Sequence, residues 1–187
     1  MAQARNRVRI IGGTWRSRQL RFPDVPGLRP TPDRVRETVF NWLGQDLAGQ
    51  DCLDLFAGSG ALGFEAASRH ARRVTMVESD GQAARALQDN ARELGANAVH
   101  VVRGDALEFL RTDRSVYDVV FLDPPYAHAV RGALLSLLHA RLATGGLLYL
   151  ESNEPLPAFD GWEVFRTARA GDVHFQLLHE VGESKAK

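Results

Sequence analysis

From residue 51 onward, short apolar runs alternate along the chain with segments whose apolar positions recur at helical spacing. The runs predict five buried strands, at 52–56, 74–78, 99–103, 116–122 and 147–151. The segments between them predict four helices, at 62–69, 81–94, 107–111 and 130–142. Strands that alternate with helices in this way are typical of an α/β sheet with parallel strands.

The end of the chain has a different pattern. Residues 162–169 and 173–181 are both strand-like, and only Ala170, Gly171 and Asp172 separate them. A connection this short predicts a hairpin, and we expect it to pair antiparallel at one edge of the sheet. The whole pattern therefore predicts an α/β fold with a mostly parallel seven-stranded sheet.

A second hairpin is predicted at the start of the chain. Residues 5–11 alternate charged and apolar positions, Gly12 and Gly13 indicate a turn, and residues 15–22 alternate again more loosely. Arginines would line the strand faces: Arg5, Arg7 and Arg9 on the first strand, Arg16 and Arg18 on the second. Cationic edge strands are also used only to prevent aggregation, and that structural role is the alternative.

A proline-rich linker, residues 23–32, leads from this hairpin into the first helix. Thr31 is expected as the helix N-cap, Pro32 as the first helical residue and Asp33 as the acid of the first turn. The helix should end near Gly44. Its buried side should be formed by Val35, Val39, Trp42 and Leu43.

Charge is distributed unevenly along the chain, although the net charge is zero. The first 36 residues hold nine arginines and two acidic residues, so they carry +7 and the remaining residues carry −7. A cationic segment beside an acidic body indicates a polyanionic partner, because Arg bound to phosphates releases condensed counterions. We therefore divide the chain into a nucleic-acid-binding arm with its linker, residues 1–30, and a body, residues 31–187.

Length and composition restrict the class of protein further. A chain of 187 residues with 44% hydrophobic and 25% charged residues is typical of one globular domain. No apolar run approaches the roughly 18 residues of a membrane helix and the start lacks the apolar segment of a signal peptide, so we expect a cytoplasmic protein with no membrane contact. Cys52 is the single cysteine and should be a small buried apolar side chain. Because no apolar stripe is left unexplained, we expect a monomer.

The first motif with chemical content is the segment DLFAGSGALG, from Asp54 to Gly63. Its glycines let the backbone approach a nucleotide and direct helix N-terminal N–H groups at it. Glu78, which follows Gly58 by 20 residues, completes a spacing that fits a dinucleotide site. Asp54 argues against NAD, because its charge would repel a pyrophosphate, whereas it would suit the ammonium group of a methionine-containing cofactor. The alternative is that Asp54 only caps nearby backbone N–H groups.

Two further carboxylates follow successive predicted strands. Glu78 could accept both hydroxyls of an adenosine ribose, and Asp105 could accept a hydrogen bond from the adenine amino group. Each could instead be a helix N-cap. Their recurrence at the carboxyl ends of strands favours a ligand site, because open α/β sheets bind ligands at that edge.

The sequence Asp123-Pro124-Pro125-Tyr126 directly follows the predicted fourth strand. In a doubly wound sheet this strand lies beside the first, so the tetrad would face the glycine loop. The Asp123 carboxylate and the Pro124 carbonyl could accept the two hydrogens of a base amino group and direct its lone pair at a methyl group. Tyr126 could stack on the base, which contributes on the order of 1 to 3 kcal/mol. The alternative is a helix-initiating Pro-Pro turn with an aromatic anchor.

The segments DLFAGSG, VES, GDA and DPPY, in this order, resemble the S-adenosylmethionine-dependent amino-methyltransferases of class I fold. More narrowly, RIIGGTWRSRQL followed by GLRPTPDRVRETVFNWL resembles the N-terminal signature of the RsmD family, bacterial small-subunit ribosomal RNA guanine-N2 methyltransferases. The resemblance extends from about Arg7 to Val181. Because DPPY also occurs in DNA adenine and cytosine amino-methyltransferases, the substrate assignment depends on the N-terminal signature.

The resemblance implies a Rossmann-like class I fold and methyl transfer to the N2 amine of one guanine in 16S ribosomal RNA, in the assembled or assembling small subunit. The expected cofactor-binding residues are Asp54, Phe56, Gly58, Ser59, Gly60, Glu78, Ser79, Asp105 and Ala106. The expected RNA-binding residues are Arg7, Arg9, Arg16, Arg18 and Arg34. No metal is expected, since the six histidines show no ligand spacing. An adenine-N6 or cytosine-N4 methyltransferase and a non-catalytic nucleic-acid-binding module are the alternatives.

Overall fold

Strands and helices alternate in the structure, a computed structural model that describes residues 6–124 and 131–182. The strands are β1 (Arg7–Arg9), β2 (Gln19–Arg21), β3 (Asp51–Asp54), β4 (Arg73–Glu78), β5 (Val99–Arg103), β6 (Tyr117–Leu122), β7 (Leu142–Ser152), β8 (Trp162–Ala170) and β9 (Val173–Glu180). The helices are α1 (Asp33–Leu43), α2 (Ala61–Ser68), α3 (Gly81–Leu94), α4 (Ala106–Thr112) and α5 (Arg131–Leu138). Within the described ranges, no helix is long and apolar enough to cross a bilayer.

In the described chain, seven strands form one sheet with the order β5-β4-β3-β6-β7-β9-β8. Neighbours from β5 to β7 pair parallel, and β9 pairs antiparallel with both β7 and β8. The predicted mostly parallel sheet and its antiparallel edge hairpin are therefore confirmed. The strand order reverses between β3 and β6, and open α/β sheets bind their ligands at such a reversal.

The core has two layers, one on each face of the sheet, because successive residues of a strand point to opposite faces. Cys52 and Phe121 are fully buried on the face that is covered by α1, α2, α3 and the N-terminal hairpin. Leu53 and Val120, their neighbours in sequence, are buried on the other face with α4 and α5. The prediction that Cys52 is a buried apolar residue is confirmed, and burial raises the pKa of its thiol.

The N-terminal hairpin is confirmed, but its second strand is shorter than predicted. β1 and β2 pair antiparallel, with Val8 and Leu20 buried in the core. The predicted strand at 15–22 was wrong in extent, since only Gln19–Arg21 pairs with β1. Arg16 and Arg18 lie in the turn before β2 and are exposed there, so the expectation that they line a strand face was also wrong.

The turn of this hairpin is bound to the end of α2. The N–H of Thr14 donates to the Ser68 carbonyl at 2.7 Å, and the N–H of Trp15 donates to the Ser68 hydroxyl at 2.9 Å. Gly13 has a φ of 73°, and a Cβ there would lie 1.8 Å from the Ser68 carbonyl oxygen. Because these residues bond to the helix, they are not available to extend the hairpin ladder.

A buried carboxylate fixes the hairpin further. Glu65 of α2 is fully buried and accepts hydrogen bonds from the N–H groups of Ile11 at 2.8 Å and Gly12 at 2.7 Å. Arg69 pairs with the same carboxylate at 2.9 Å. The hairpin is thereby joined to the helix that begins directly after the glycine loop.

Helix α1 is confirmed but begins one residue later than predicted. Pro32 rather than Thr31 is its N-cap, and no side chain bonds to the free N–H groups there. Thr31 is buried, and its carbonyl accepts a hydrogen bond from Nε of Arg36 at 3.1 Å. Val35 and Val39 are fully buried as predicted. Two other predicted positions are only half-buried: Trp42 and Leu43.

The predicted helix at 130–142 and strand at 147–151 have different limits in the structure. α5 ends at Leu138, and β7 begins at Leu142. Gly145, with a φ of 70°, lies within β7, where the pairing with β6 shifts its register. A glycine inside a strand is typical of a bulge, which explains why the sequence pattern placed the strand start too late.

Candidate active site

The sheet register brings the ends of β3 and β6 together. Asp54, the last residue of β3, is the Cα partner of Phe121, so Asp123 follows at the carboxyl edge beside the glycine loop. A cleft at this edge is lined by residues from the linker, the glycine loop and the end of β6: Arg29, Thr31, Asp54, Phe56, Ala57, Gly58, Ser59, Ala61, Leu62 and Asp123. The expected cofactor side and acceptor side of the site therefore share one cleft.

The glycine loop has the backbone conformation that its sequence requires. Gly58 and Gly60 have φ values of 51° and 78°, a region that side chains disfavour. A Cβ at Gly60 would lie 2.6 Å from both Leu87 and Phe64, so there is also no space for one. This tight turn places the N-terminus of α2 beside the cleft.

Asp54 bonds to the backbone at the start of α2 and also lines the cleft. Only 3% of its surface is exposed, and its Oδ2 accepts a hydrogen bond from the Gly63 N–H at 2.9 Å. The capping role considered from the sequence is therefore present. Burial raises the pKa of Asp54 to about 7, and the neighbouring charges of Asp123 and Glu78 act in the same direction. A cation bound beside it would favour the ionised form.

Glu78 and Asp105 differ in their local roles. Asp105 caps α4 by accepting from Glu108 N–H at 3.0 Å, as its structural alternative predicts. Glu78 is not a helix cap, because Asp80 caps α3. The Glu78 carboxylate accepts from Gly58 N–H at 2.8 Å and Asp80 N–H at 2.7 Å, which leaves about two of its four acceptor positions. Glu78 thus supports the glycine loop directly.

Several expected cofactor residues are not among those that line the cleft. Glu78 and Gly60 adjoin it through the glycine loop, whereas Ser79 is exposed and Ala106 is buried beside the next strand end. Four positions named from the sequence lie outside the described residues: Arg5, Pro125, Tyr126 and Val130. Their roles remain predictions.

Asp123 and Pro124 are the described part of the tetrad. Asp123 is half-buried as a residue, yet its carboxyl lies deep enough that burial raises its pKa to about 6. Pro124 is buried. Because bulk water is largely excluded there, a hydrogen bond accepted by this carboxylate is electrostatically stronger than one formed in water.

Five residues of the cleft were not among the expected site residues: Ala57, Ala61 and Leu62 near the glycine loop, and Arg29 and Thr31 before α1. Arg29 and Thr31 belong to the segment 23–32, to which no role in cofactor binding was assigned from the sequence. The bond from Arg36 to the Thr31 carbonyl holds this segment against the body. The sequence did contain one signal for Arg29: a basic residue lies between prolines. Prolines restrict the backbone and therefore the positions that the side chain can reach.

The arginines expected to bind RNA are all exposed: Arg7, Arg9, Arg16, Arg18 and Arg34. Arg9 forms a surface ion pair with Asp33 at 3.0 Å. Arg36, which contributed to the count of +7, is fully buried and pairs internally, so it is not available to a partner. The cationic surface of the arm is therefore smaller than the sequence count suggested.

Comparison with known proteins identifies the family. The family described as Conserved hypothetical protein 95 matches residues 8–179. The ribosomal RNA small subunit methyltransferase D of Escherichia coli strain K12 is 43% identical over 186 residues, which cover 96% of this chain and 94% of that protein. The chain belongs to the RsmD family. The resemblance found in the sequence is thereby confirmed.

Other RsmD family relatives agree over nearly the whole chain. The ribosomal RNA small subunit methyltransferase D of Haemophilus influenzae is 40% identical over 182 residues, covering 93% of this chain and 94% of that protein. A solved structure, a putative methyltransferase yhhF from Escherichia coli, matches with a TM-score of 0.83 and 41% identity, covering 93% of this chain and 98% of that one. The expected class I methyltransferase fold is confirmed.

Proposed function

We propose that this chain transfers the methyl group of S-adenosylmethionine to the exocyclic N2 amine of a specific guanine in the 16S ribosomal RNA of the small subunit. The observation that carries the proposal is that Asp54 and Asp123 line one cleft, so that the carboxylate proposed to bind the cofactor would lie near the one proposed to accept from the amine. The names of the 43% and 40% identical relatives support ribosomal RNA of the small subunit as the substrate. The reaction would then take place in the cytoplasm.

The side chains of the cleft fit S-adenosylmethionine. Its methionine part carries one ammonium and one carboxylate group, and the cleft offers the Asp54 carboxylate and the Arg29 guanidinium. Glu78 keeps acceptor positions for ribose hydroxyls beyond its two backbone bonds. When bound, the cofactor supplies an electrophilic methyl group on a sulfonium.

The residues after β6 would position the accepting amine. An exocyclic base nitrogen is a weak nucleophile, since its lone pair is delocalised into the ring. The Asp123 carboxylate and the Pro124 carbonyl would each accept one amine hydrogen and turn the lone pair towards the methyl group. Such alignment of two bound reactants lowers a barrier by on the order of 7 to 11 kcal/mol.

The arm would bind the RNA around the target base. Its exposed arginines lie on β1, in the following turn and at the start of α1, and phosphates are their natural partners. A base inside folded RNA would have to leave its stack to reach the cleft, as base-modifying enzymes generally require. We propose the assembled or assembling small subunit as the substrate and a monomer as the enzyme.

The proposal is tested by identifying the methylated nucleoside. Labelled S-adenosylmethionine is supplied with small subunits from cells that lack the enzyme, with naked ribosomal RNA and with DNA, and each product is digested. We expect N2-methylguanosine in the ribosomal RNA. Methylated adenine or cytosine would keep the role of Asp123 but reject guanine, and binding of RNA without any transfer would indicate a non-catalytic module. Asp123→Ala should abolish transfer while cofactor binding persists, and Asp160→Ala, at an exposed position of the body, should change neither.

A further inference from the structure

A second buried carboxyl lies beside Asp123. Leu122 at the end of β6 is the Cα partner of Leu150 in β7, so the residues that follow them, Asp123 and Glu151, are also neighbours across the two strands. Glu151 is only 7% exposed. The sequence analysis placed Glu151 at the end of a strand but gave it no function.

Burial and the neighbouring Asp123 disfavour ionisation of Glu151, whereas its hydrogen bond from Tyr149 favours ionisation and lowers its pKa. Its Oε2 accepts a hydrogen bond from the Tyr149 hydroxyl at 2.5 Å. Burial is the main cause that raises the pKa of Glu151 to about 7, and the charge of Asp123 adds to it. Burial also raises the pKa of Asp123, so ionising both neighbouring carboxyls at once is disfavoured and the pair tends to keep a proton.

The groups around this pair do not neutralise it. Phe175 of β9 is the register partner of Glu151, and Asp54 on the β3 side adds a further negative charge near Asp123. Two described arginines have other positions or contacts: Arg131 bonds to the Ser152 hydroxyl at 3.3 Å, and Arg29 lines the same cleft as Asp123 without an ion pair to Glu151. In the part of the chain that the structure describes, no cation pairs with Glu151, so a proton is the charge that stabilises the pair.

We propose that Glu151 is a positioning residue that keeps this proton and donates it as a hydrogen bond to the Asp123 carboxylate. Tyr149 occupies Oε2 of Glu151, so Oε1 is the oxygen that would carry the proton and donate it to Asp123. Asp123 then stays ionised and correctly oriented to accept an amine hydrogen. This inference rests on the proposed methyl transfer, in which Asp123 contacts the substrate and Glu151 acts only through Asp123.

The test compares Glu151→Gln, Glu151→Ala and the exposed control Glu163→Gln over a range of pH. Wild-type kcat should fall at acid pH, as Asp123 is protonated, and at alkaline pH, as Glu151 loses its proton. Glutamine donates at every pH, so Glu151→Gln should lose the alkaline decline and keep a maximal kcat within about threefold of wild type. Near neutral pH, Glu151→Ala should lower kcat on the order of 10- to 100-fold, with the KM for RNA little changed, and the difference should shrink at alkaline pH, where the wild type also lacks the proton.

A second measurement is independent of activity. Carboxyl-carbon NMR of the protein labelled at Glu and Asp should show a signal that titrates near neutral pH and is absent from Glu151→Gln. A Glu151 signal that titrates near the ordinary value of about 4.3 overturns the inference. So does an active Glu151→Gln enzyme that keeps the alkaline decline. A wild-type protein that methylates none of the nucleic acids overturns the proposed function itself, and with it the role of Glu151.

Discussion

Arg36 of α1 and Glu65 of α2 form an ion pair in which both side chains are completely buried, with 3.3 Å between Nη1 and Oε2. Arg36 also pairs with Asp33 at 2.6 Å, and Glu65 accepts the backbone bonds that hold the arm. One carboxylate therefore connects the arm, the helix after the linker and the helix after the glycine loop. The RNA-binding and cofactor-binding parts of the proposed site share this connection.

Glu65→Ala should destabilise the protein by about 3–5 kcal/mol, because it removes one of the two carboxylates that pair with the buried Arg36 and leaves the N–H groups of Ile11 and Gly12 without their acceptor. Urea unfolding measures the loss, and hydrogen exchange should show lost protection at Ile11 and Gly12. The control is Glu37→Gln, on the exposed side of α1. Unchanged protection in a destabilised Glu65→Ala protein would show that this carboxylate does not hold the arm.

This ion pair also shows what sequence patterns cannot predict. The spacing of apolar residues predicted every strand of the sheet. A buried strand contains alternating or continuous apolar residues within a few positions, so its own short segment reveals it. Arg36 and Glu65 lie 29 positions apart, and the sequence analysis counted Arg36 only in the charge of the N-terminal segment and gave Glu65 no individual role. A buried charge depends on a partner that only the tertiary structure supplies, so no local pattern reveals it.

Part of the candidate site could also be predicted from the sequence. Asp54 and Asp123 followed from one rule, that polar residues at the carboxyl ends of parallel strands meet at a ligand site. Glu151 obeys the same rule but was not chosen, because it belongs to no recognised motif. Arg29 reaches the cleft through the path of the linker, and a proline-rich stretch does not determine that path from sequence.

Gly60→Ala should prevent cofactor binding and cost more stability than Gly95→Ala. Both glycines have positive φ, at 78° and 64°, so both substitutions carry a backbone cost of about 1–2 kcal/mol. Only at Gly60 would the new Cβ also lie 2.6 Å from Leu87 and Phe64, since nothing is within 4 Å at Gly95. Thermal unfolding and calorimetric titration with S-adenosylmethionine measure the two effects. Equal losses of stability in both variants would show that the loop has space to adjust.

Asp54→Asn should stabilise the protein much more at pH 8 than at pH 5. The folded-state pKa of Asp54, about 7, is higher than its ordinary value of 3.8, so the native state binds the proton more tightly and stability falls as pH rises between these values. Above pH 7 nearly the whole penalty is present, roughly 4 kcal/mol, against less than half of it at pH 5, and asparagine removes it while its oxygen still accepts from Gly63. Urea unfolding at both pH values, with the exposed Asp24→Asn as control, tests this. A stability gain that is equal at pH 5 and pH 8 would contradict the assigned burial effect.

Removing exposed charge from the arm should weaken RNA binding and flatten its salt dependence. The variant replaces three arginines of the hairpin by glutamine: Arg7, Arg16 and Arg18. A matched variant replaces three exposed arginines of the body: Arg85, Arg114 and Arg166.

Fluorescence anisotropy with a ribosomal RNA fragment gives the slope of log affinity against log salt, and each lost phosphate contact should reduce that slope by about 0.7 to 0.9. We expect a reduction of about 2 to 3 for the arm variant and less than about 1 for the body variant, because only the arm is proposed to contact phosphates. Equal reductions in both variants would show that RNA binds by overall charge and not through the arm.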